Sequence, residues 1–289
     1  MKQLLILSGK GGTGKTTVAS AFIELSRSRA YADCDVDAPN LHLLMEIEEP
    51  LLSQEFYGLQ VAHIDRDLCI DCGICYEACR FNSILNEPFH TIDITSCEGC
   101  ALCYLVCPHK AISMHDNSIG KLKLYKDTRR VFSTAQLYPG AGNSGLLVSE
   151  VKAKMKDHLL DYTDLAIIDG SPGIGCPVIA SLSGVDATLL VAEPSISGIS
   201  DLKRVIKTAK SFDLQILVCV NKYDLNLEKT KEIEEFCQEN NLAFVGKIPY
   251  DIKVLDYVNK KRSLKEIDSL AIRALKELYK KTMEALGYF

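Results

Sequence analysis

Short apolar runs alternate with amphipathic stretches along most of the chain. Leu4 to Leu7 precedes a helical pattern over Thr16 to Ser26, and Leu165 to Ile168 is a further apolar run. Ala187 to Ala192 precedes Ile199 to Ser211, Leu214 to Val220 precedes Glu228 to Asn240, and Ala243 to Val245 closes the series. Strand followed by helix, repeated, predicts an α/β fold: a mostly parallel sheet with helices on both faces. Gly and Pro punctuate the loops after these strands, as in Asp169 to Gly175 and Glu193-Pro194. Ligands in such folds bind at the carboxyl ends of the strands. A last helix over Asp268 to Leu286 carries Ile272, Leu275, Leu278, Tyr279 and Met283 at helical spacing, a face expected to pack on the domain.

Composition changes this picture at one place. The chain has 289 residues, enough for a large α/β domain and a small second one, and its 33 Lys and Arg against 38 Asp and Glu give a net charge of −5. All of that excess lies in residues 59–119, which hold 3 basic and 8 acidic residues, 8 of the 12 cysteines and 4 of the 6 histidines. The expected organisation is therefore a discontinuous main α/β domain, 1–58 and 120–289, interrupted by an inserted domain, 59–119. No run of 18 apolar residues exists, and the start of the chain reads as a first strand rather than a signal peptide, so a cytoplasmic location is expected. In a reducing compartment such crowded cysteines point to metal ligation rather than disulfides. Neither a nucleic-acid partner nor a stable membrane association is expected.

Between the first strand and the first helix stands Gly9-Lys10-Gly11-Gly12-Thr13-Gly14-Lys15-Thr16, followed by Thr17. A glycine, four residues and Gly-Lys-Thr in that context is a phosphate-binding loop. Glycines let successive N–H groups curl toward phosphate oxygens, and the helix N-terminus adds partial positive charge. Lys15 is expected on the β- and γ-phosphates and Thr16 on Mg²⁺. Leu165 to Asp169 is an apolar strand ending in an acid, which assigns Asp169 to the Mg²⁺ shell through water.

Cys69, Cys72, Cys75 and Cys79 are repeated at Cys97, Cys100, Cys103 and Cys107, offset by 28 residues at every position. Three cysteines at two-residue gaps wrap one corner of a 4Fe-4S cluster, and the fourth reaches the other cluster. Cluster I then takes Cys69, Cys72, Cys75 and Cys107, and cluster II takes Cys79, Cys97, Cys100 and Cys103. Zinc is the competing metal, but its sites usually draw on pairs of cysteines in separate knuckles.

These motifs carry a resemblance. The second lysine of the loop, Lys10, resembles the deviant Walker A motif of the MinD/ParA/Mrp and nitrogenase-iron-protein ATPases, and the paired cysteine motifs resemble a bacterial two-cluster ferredoxin. Essentially the whole chain is similar to MinD-superfamily P-loop ATPases with an inserted ferredoxin domain. The resemblance implies an ATP-dependent homodimer in which Lys10 reaches the partner's phosphates. It implies that Asp35 orients the attacking water and Asp33 holds the Mg²⁺ shell, and the two acids are expected to point to opposite sides of the chain. It also places Asn221, Pro249 and Tyr250 at the nucleotide base. Asn221-Lys222-Tyr223-Asp224 spells a guanine-binding pattern as well, so Asp224 is a base contact and ATP and GTP both remain open. Departures are Arg80 after Cys79, where ferredoxins usually have Pro, and Leu146, where the family often has Lys. Cys176 resembles a dimer-bridging cluster ligand, but the companion loop, Gly140 to Gly145, has no cysteine. The ferredoxin part is expected to hang from the nucleotide-sensing switch after Asp33.

Two functions follow. One is an ATP hydrolase that couples nucleotide binding in a homodimer to electron transfer through two 4Fe-4S clusters to a redox partner. The other is an ATP-dependent iron-sulfur carrier or metallocofactor maturation factor that serves a client protein. A MinD- or ParA-like positioning ATPase would use a membrane helix or a DNA-binding surface, and neither is evident.

Overall fold

The computed structural model describes residues 1–43, 49–254 and 268–288. In chain order the elements are β1 (Lys2–Leu7), α1 (Lys15–Ser26), β2 (Ala30–Asp33), β3 (Leu52–Tyr57), β4 (Val61–Ile64), α2 (Ile74–Ala78), β5 (Ile84–Leu85), β6 (Thr91–Ile92), α3 (Leu102–Val106), β7 (Ile112–His115) and β8 (Ser118–Lys126). They continue as β9 (Val131–Leu137), α4 (Ser144–Asp157), β10 (Leu165–Asp169), α5 (Cys176–Leu182), β11 (Ala187–Ala192), α6 (Ile196–Ala209), β12 (Gln215–Asn221), α7 (Leu227–Glu239), β13 (Ala243–Ile248) and α8 (Leu270–Ala285).

The main sheet runs β13-β12-β11-β1-β10-β2-β9-β8-β3, parallel from β13 to β9 and antiparallel at β8 and β3. Its central strands are apolar on both faces because both are covered. Leu5 and Leu7 of β1, Ala166 and Ile168 of β10, and Val218 and Val220 of β12 point into a core closed by α4, α5, α6 and α7. Leu4, Ile6, Ile167, Leu217 and Cys219 point the other way, against Phe22 of α1 and Ile272, Leu275 and Leu278 of α8. The expected α/β architecture is present. The helices mostly begin one to three residues earlier than the periodicity suggested, since capping residues such as Ser195 and Asn226, whose side chains accept the Gly198 and Lys229 N–H groups, set those starts.

Residues 61–115 form two small antiparallel sheets, β4-β7 and β5-β6, around their own core of Ala62, Ile64, Cys75, Ile84 and Ile112. This cysteine-bearing segment leaves the main sheet through β3 and returns through β8, with Tyr57 opposite Ser118 and the Gly58 N–H donating to Asn117 O at 3.0 Å. The attachment is thus the hydrogen-bonded pair of the edge strand β3 and its neighbour β8. It is not the loop after Asp33, as the sequence had suggested.

One buried cation organises the far side of the fold. Lys152 of α4 is 5% exposed, and its Nζ donates to Ala180 O, Ser181 O and Ser183 O at 3.1, 2.7 and 2.6 Å. It caps the carbonyls that end α5, although burial lowers its pKa to about 8. Lys152→Met keeps the apolar stem and strands the carbonyls. A loss of about 2–3 kcal/mol is expected in urea denaturation, and an unchanged midpoint with unchanged slope would contradict the cap.

Candidate nucleotide and cysteine sites

The phosphate loop closes over the carboxyl end of β1. Gly14 begins α1 at φ +90°, and a Cβ there would meet Asn221 Nδ2 at 2.2 Å, so only glycine fits. The loop's outer carbonyls are tied down: Ser8 Oγ donates to Lys10 O at 2.8 Å, Lys222 Nζ to Gly12 O at 3.0 Å and Asn221 Nδ2 to Thr13 O at 2.7 Å. Gly9, Lys10, Gly11 and Gly12 run across the strand end, while Lys15, Thr16 and Thr17 form the first turn of α1.

Lys15 meets the acids there. Its Nζ lies 2.6 Å from Asp169 Oδ1 and 3.4 Å from Asp35 Oδ2, with side-chain exposures of 6%, 0% and 12% for the lysine, Asp169 and Asp35. Burial opposes its charge, but Asp169, Asp35 and Asp33 outweigh that and raise its pKa. Burial, and after it the charge of Asp169, pushes Asp33 up to about 7. Asp33 accepts the N–H groups of Asp35, Asn40 and Leu41 at 2.9–3.0 Å, so it fixes the loop that follows it as well as facing Lys15. The expectation that Asp33 and Asp35 diverge is therefore corrected. Residues two apart on an extended chain share a side, and the charges of both acids act on Lys15. Asp169 Oδ2 is buried without a hydrogen-bond partner.

Beside the loop lies a cleft of about 130 Å³. Gly12, Gly14, Thr17, Asn221, Pro249 and Tyr250 are in its wall, together with Lys222 and, from α8, Ala271 and Leu275. Asp224 is not in that wall; its Oδ1 accepts the Tyr250 N–H at 2.7 Å and so holds the 249–251 loop. The sequence reading missed Lys222, although it belongs to a motif already singled out. It also missed Glu193, which binds Lys10 Nζ at 2.8 Å and Lys222 Nζ at 3.7 Å. Lys10 Nζ is further held by Ser195 Oγ and Ser197 Oγ at 3.3 and 3.2 Å. Despite partial burial, Lys10 and Lys222 keep the Glu193 pKa below its ordinary value.

The cysteine segment repeats in backbone as it does in sequence. Left-handed residues recur at the same offset: Asp71 and Gly99, Gly73 and Ala101, Asn82 and Lys110. Cys79 and Cys107 end α2 and α3 at φ, ψ of −73°, 114° and −73°, 112°, so Arg80 in place of Pro leaves the turn unchanged. One cavity has Cys69, Cys72, Cys75 and Cys107 in its wall. A second has Cys79, Cys97, Cys100 and Cys103. Burial raises the Cys75 and Cys103 thiols; at Cys79 it acts the same way, but N–H donors of Phe81, Ser83 and Ile84 pull the pKa below normal. Among the described residues, no three His, Cys, Asp or Glu gather about a single metal ion. Cys176 lies apart, at the start of α5 against Gly145.

A family model for the CobQ/CobB/MinD/ParA nucleotide binding domain matches residues 4–264. The chain belongs to this family. It is 30% identical to an uncharacterised protein of Methanocaldococcus jannaschii, over 98% of this chain and 96% of that protein. It is 23% identical to an iron-sulfur cluster carrier protein of the same archaeon, over 98% of this chain and 84% of that one. Among solved structures it resembles the Pyrococcus furiosus cell division ATPase MinD, with a TM-score of 0.59 at 18% identity over 98% of this chain and 99% of that one. The Pyrococcus horikoshii septum site-determining protein MinD, complexed with Mg-ADP, has the same TM-score at 17% identity, covering 99% and 98%. These two likenesses show the MinD-like P-loop fold.

The acid pocket predicts a pH dependence. Asp33 ionises near pH 7 when folded but at its ordinary value of 3.8 when unfolded. Its contribution to stability is therefore greatest below the unfolded value, falls as pH rises toward about 7 and is flat above. Asp33→Asn is expected to flatten the decline in stability of the nucleotide-free protein between the unfolded value of 3.8 and about pH 7. A decline equal to wild type, followed by chemical denaturation across that range, would contradict the assignment.

Proposed function

We propose that this chain is an ATP-hydrolysing iron-sulfur protein in which nucleotide binding in a homodimer is coupled to electron transfer through two 4Fe-4S clusters in residues 59–119. The observation that carries the proposal is the pair of cavities, each walled by one complete crossed set of four cysteines. The residues present fit such clusters. All 12 cysteines are free of disulfides, apolar Ile64, Ile84 and Ile112 enclose the sites, and the Ala111 N–H donates to Cys107 Sγ at 3.3 Å. A four-iron cluster takes one thiolate per iron, so its ligands ring a cavity and need not converge on one point. Cys69, Cys72, Cys75 and Cys107 would hold cluster I, and Cys79, Cys97, Cys100 and Cys103 cluster II. The chemistry such groups supply is one-electron transfer.

At the nucleotide site, Gly9 to Thr17 would cradle the phosphates, with the base in the cleft formed by Asn221, Pro249 and Tyr250. Lys15 would turn from Asp169 to the β- and γ-phosphates. Asp169 Oδ2, buried and unpartnered, and the Thr16 hydroxyl would hold the Mg²⁺ shell, while Asp33 would keep the switch loop in place. Asp35, the more exposed acid, would orient the water that attacks the γ-phosphorus as the bond to the ADP oxygen breaks. Lys10 of each copy would neutralise phosphate charge across the dimer. Its present pair with Glu193 is part-exposed and worth about 0.2–1 kcal/mol, so a polyphosphate displaces it at little cost.

A second reading is an ATP-dependent cluster carrier. The similarity to iron-sulfur cluster carrier proteins of archaea favours it, as does one exposed thiol per cavity, Cys72 and Cys100. Cargo would leave for an apo acceptor upon ATP hydrolysis, whereas resident clusters would stay.

Anaerobic purification followed by iron counting and EPR tests the proposal. About eight irons per chain and two 4Fe-4S signals are expected from two four-iron sites; one zinc and no signal would refute it. Cys107→Ala should perturb the cluster bound by Cys69, Cys72 and Cys75, although Cys107 lies beside cluster II ligands in sequence. Loss of the other cluster alone would contradict the crossed arrangement. Lys10→Ala should abolish ATP-dependent dimerisation in light scattering while ATP binding to the single chain persists, and unchanged dimerisation would remove the trans role.

A further inference from the structure

An exposed apolar patch surrounds the mouth of the first cysteine cavity. Ile70 and Ile74 stand in its wall beside Cys72, the exposed thiol of that set, and are themselves 62% and 42% exposed. His90, in the same wall, extends the patch: its ring lies 5.8 Å from that of Tyr76, and Phe89 precedes it in the chain. Tyr76 and Phe89 are 46% and 52% exposed. Large apolar side chains gathered in water around one cavity, with polar groups at their rim, mark a surface that a partner covers.

The rim is acidic. Asp71 adjoins Ile70, Glu77 adjoins Tyr76 and Glu87 lies two residues before Phe89, all three exposed, and exposed Asp65 and Asp67 add to them. The nearby cation is already engaged within the patch. Arg66 lies 4.3 Å over the Phe89 ring, donates to His90 O at 3.0 Å and approaches Asp71 at 3.8 Å. Residues 59–119 hold two other cations, Arg80 and Lys110, against eight acids.

We propose that this patch docks a soluble electron-transfer protein of the opposite pattern, one whose redox group has an apolar edge ringed by lysine or arginine. The inference rests on the cluster-binding reading above and gives the chemistry of the partner. An apolar centre with a charged rim suits a brief, specific encounter: the centre excludes water, and the rim steers the approach. The same carboxylates repel the phosphates of nucleic acids and of anionic membranes. In the step itself one electron leaves the reduced first cluster beside Cys72 and converts the partner's oxidised group to its one-electron-reduced form. No other bond is made or broken.

The test uses ferricytochrome c as probe, a small haem protein whose exposed haem edge is ringed by lysines. The full chain with its clusters is reduced by dithionite, freed of excess reductant and mixed with the probe, and the ferric-to-ferrous change is followed by stopped flow. The wild-type second-order rate is expected to fall about tenfold from low to physiological salt. Glu77→Lys with Glu87→Lys should lower the low-salt rate about tenfold and remove most of that salt dependence. Phe89→Ser should lower the rate and leave the salt dependence in place, with EPR showing that each variant holds its clusters. A wild-type rate indifferent to salt, or variants as fast as wild type, overturn the proposal. Carbodiimide coupling of wild type to the probe, which joins carboxylates to lysines, should link Glu77 and Glu87. Links confined to other carboxylates, or made between two copies of this chain, overturn it, and this measurement decides if a variant fails to fold. Absence of any cluster signal from wild type would instead overturn the reading on which this inference rests.

Discussion

Lys15 is buried against Asp169 and Asp35, with Asp33 behind them, and the site depends on how that charge is balanced. Removing one partner of a buried pair costs about 3–5 kcal/mol, far more than the part-exposed Lys10 contact with Glu193. One ammonium against three carboxylates leaves excess negative charge, and Asp33, raised first by its burial and then by the charge of Asp169, has a pKa of about 7. A polyphosphate entering such a pocket adds further negative charge. In the proposed function this is why a divalent cation must accompany it, and why Lys15 can exchange a carboxylate for a phosphate without losing compensation. The ends of β1, β10 and β2 are brought together because these strands are adjacent and parallel, with Asp33 paired in register with Asp169.

In the proposed function the cysteine segment is coupled to this pocket through the sheet edge. Glu55 of β3 accepts the hydroxyls of Ser118 and Tyr138 at 2.6 Å each, and the Tyr138 N–H donates to Ile119 O at 2.8 Å. Tyr138 opens the loop that leads to α4, where Gly145 lies against Cys176 in the segment following Asp169. A path of hydrogen bonds, chain and packing therefore runs from β3 and β8, which bear the cysteine segment, to the loop after β10. Coupling through such a chain requires an element with two arrangements, and the nucleotide-dependent release of Lys15 from Asp169 is the proposed one.

Much of this was legible in sequence for local reasons. A phosphate loop is encoded by consecutive residues, and Gly14 is fixed by a positive φ together with the approach of Asn221. The cysteine spacing survives as matched turns because both halves repeat the same left-handed positions. What escaped notice depends on residues far apart in the chain. Glu193 meets Lys10 only after β11 and β1 pair, and Asp224 turns from the cleft because Tyr250 offers it an N–H. The edge strand β3 lacked an apolar run because it alternates half-buried Leu52, Gln54 and Phe56 with exposed residues, and so the true attachment of the cysteine segment was invisible.

The central claim is that the nucleotide pocket and the cysteine sites share one conformational equilibrium. The most direct measurement is an anaerobic redox titration of the full chain with and without Mg²⁺ and a non-hydrolysable ATP analogue, followed by EPR. The account predicts a nucleotide-dependent shift of about 59 mV, a tenfold change for a one-electron couple. Potentials that are identical with and without nucleotide, in a protein shown to bind it, would contradict the coupling.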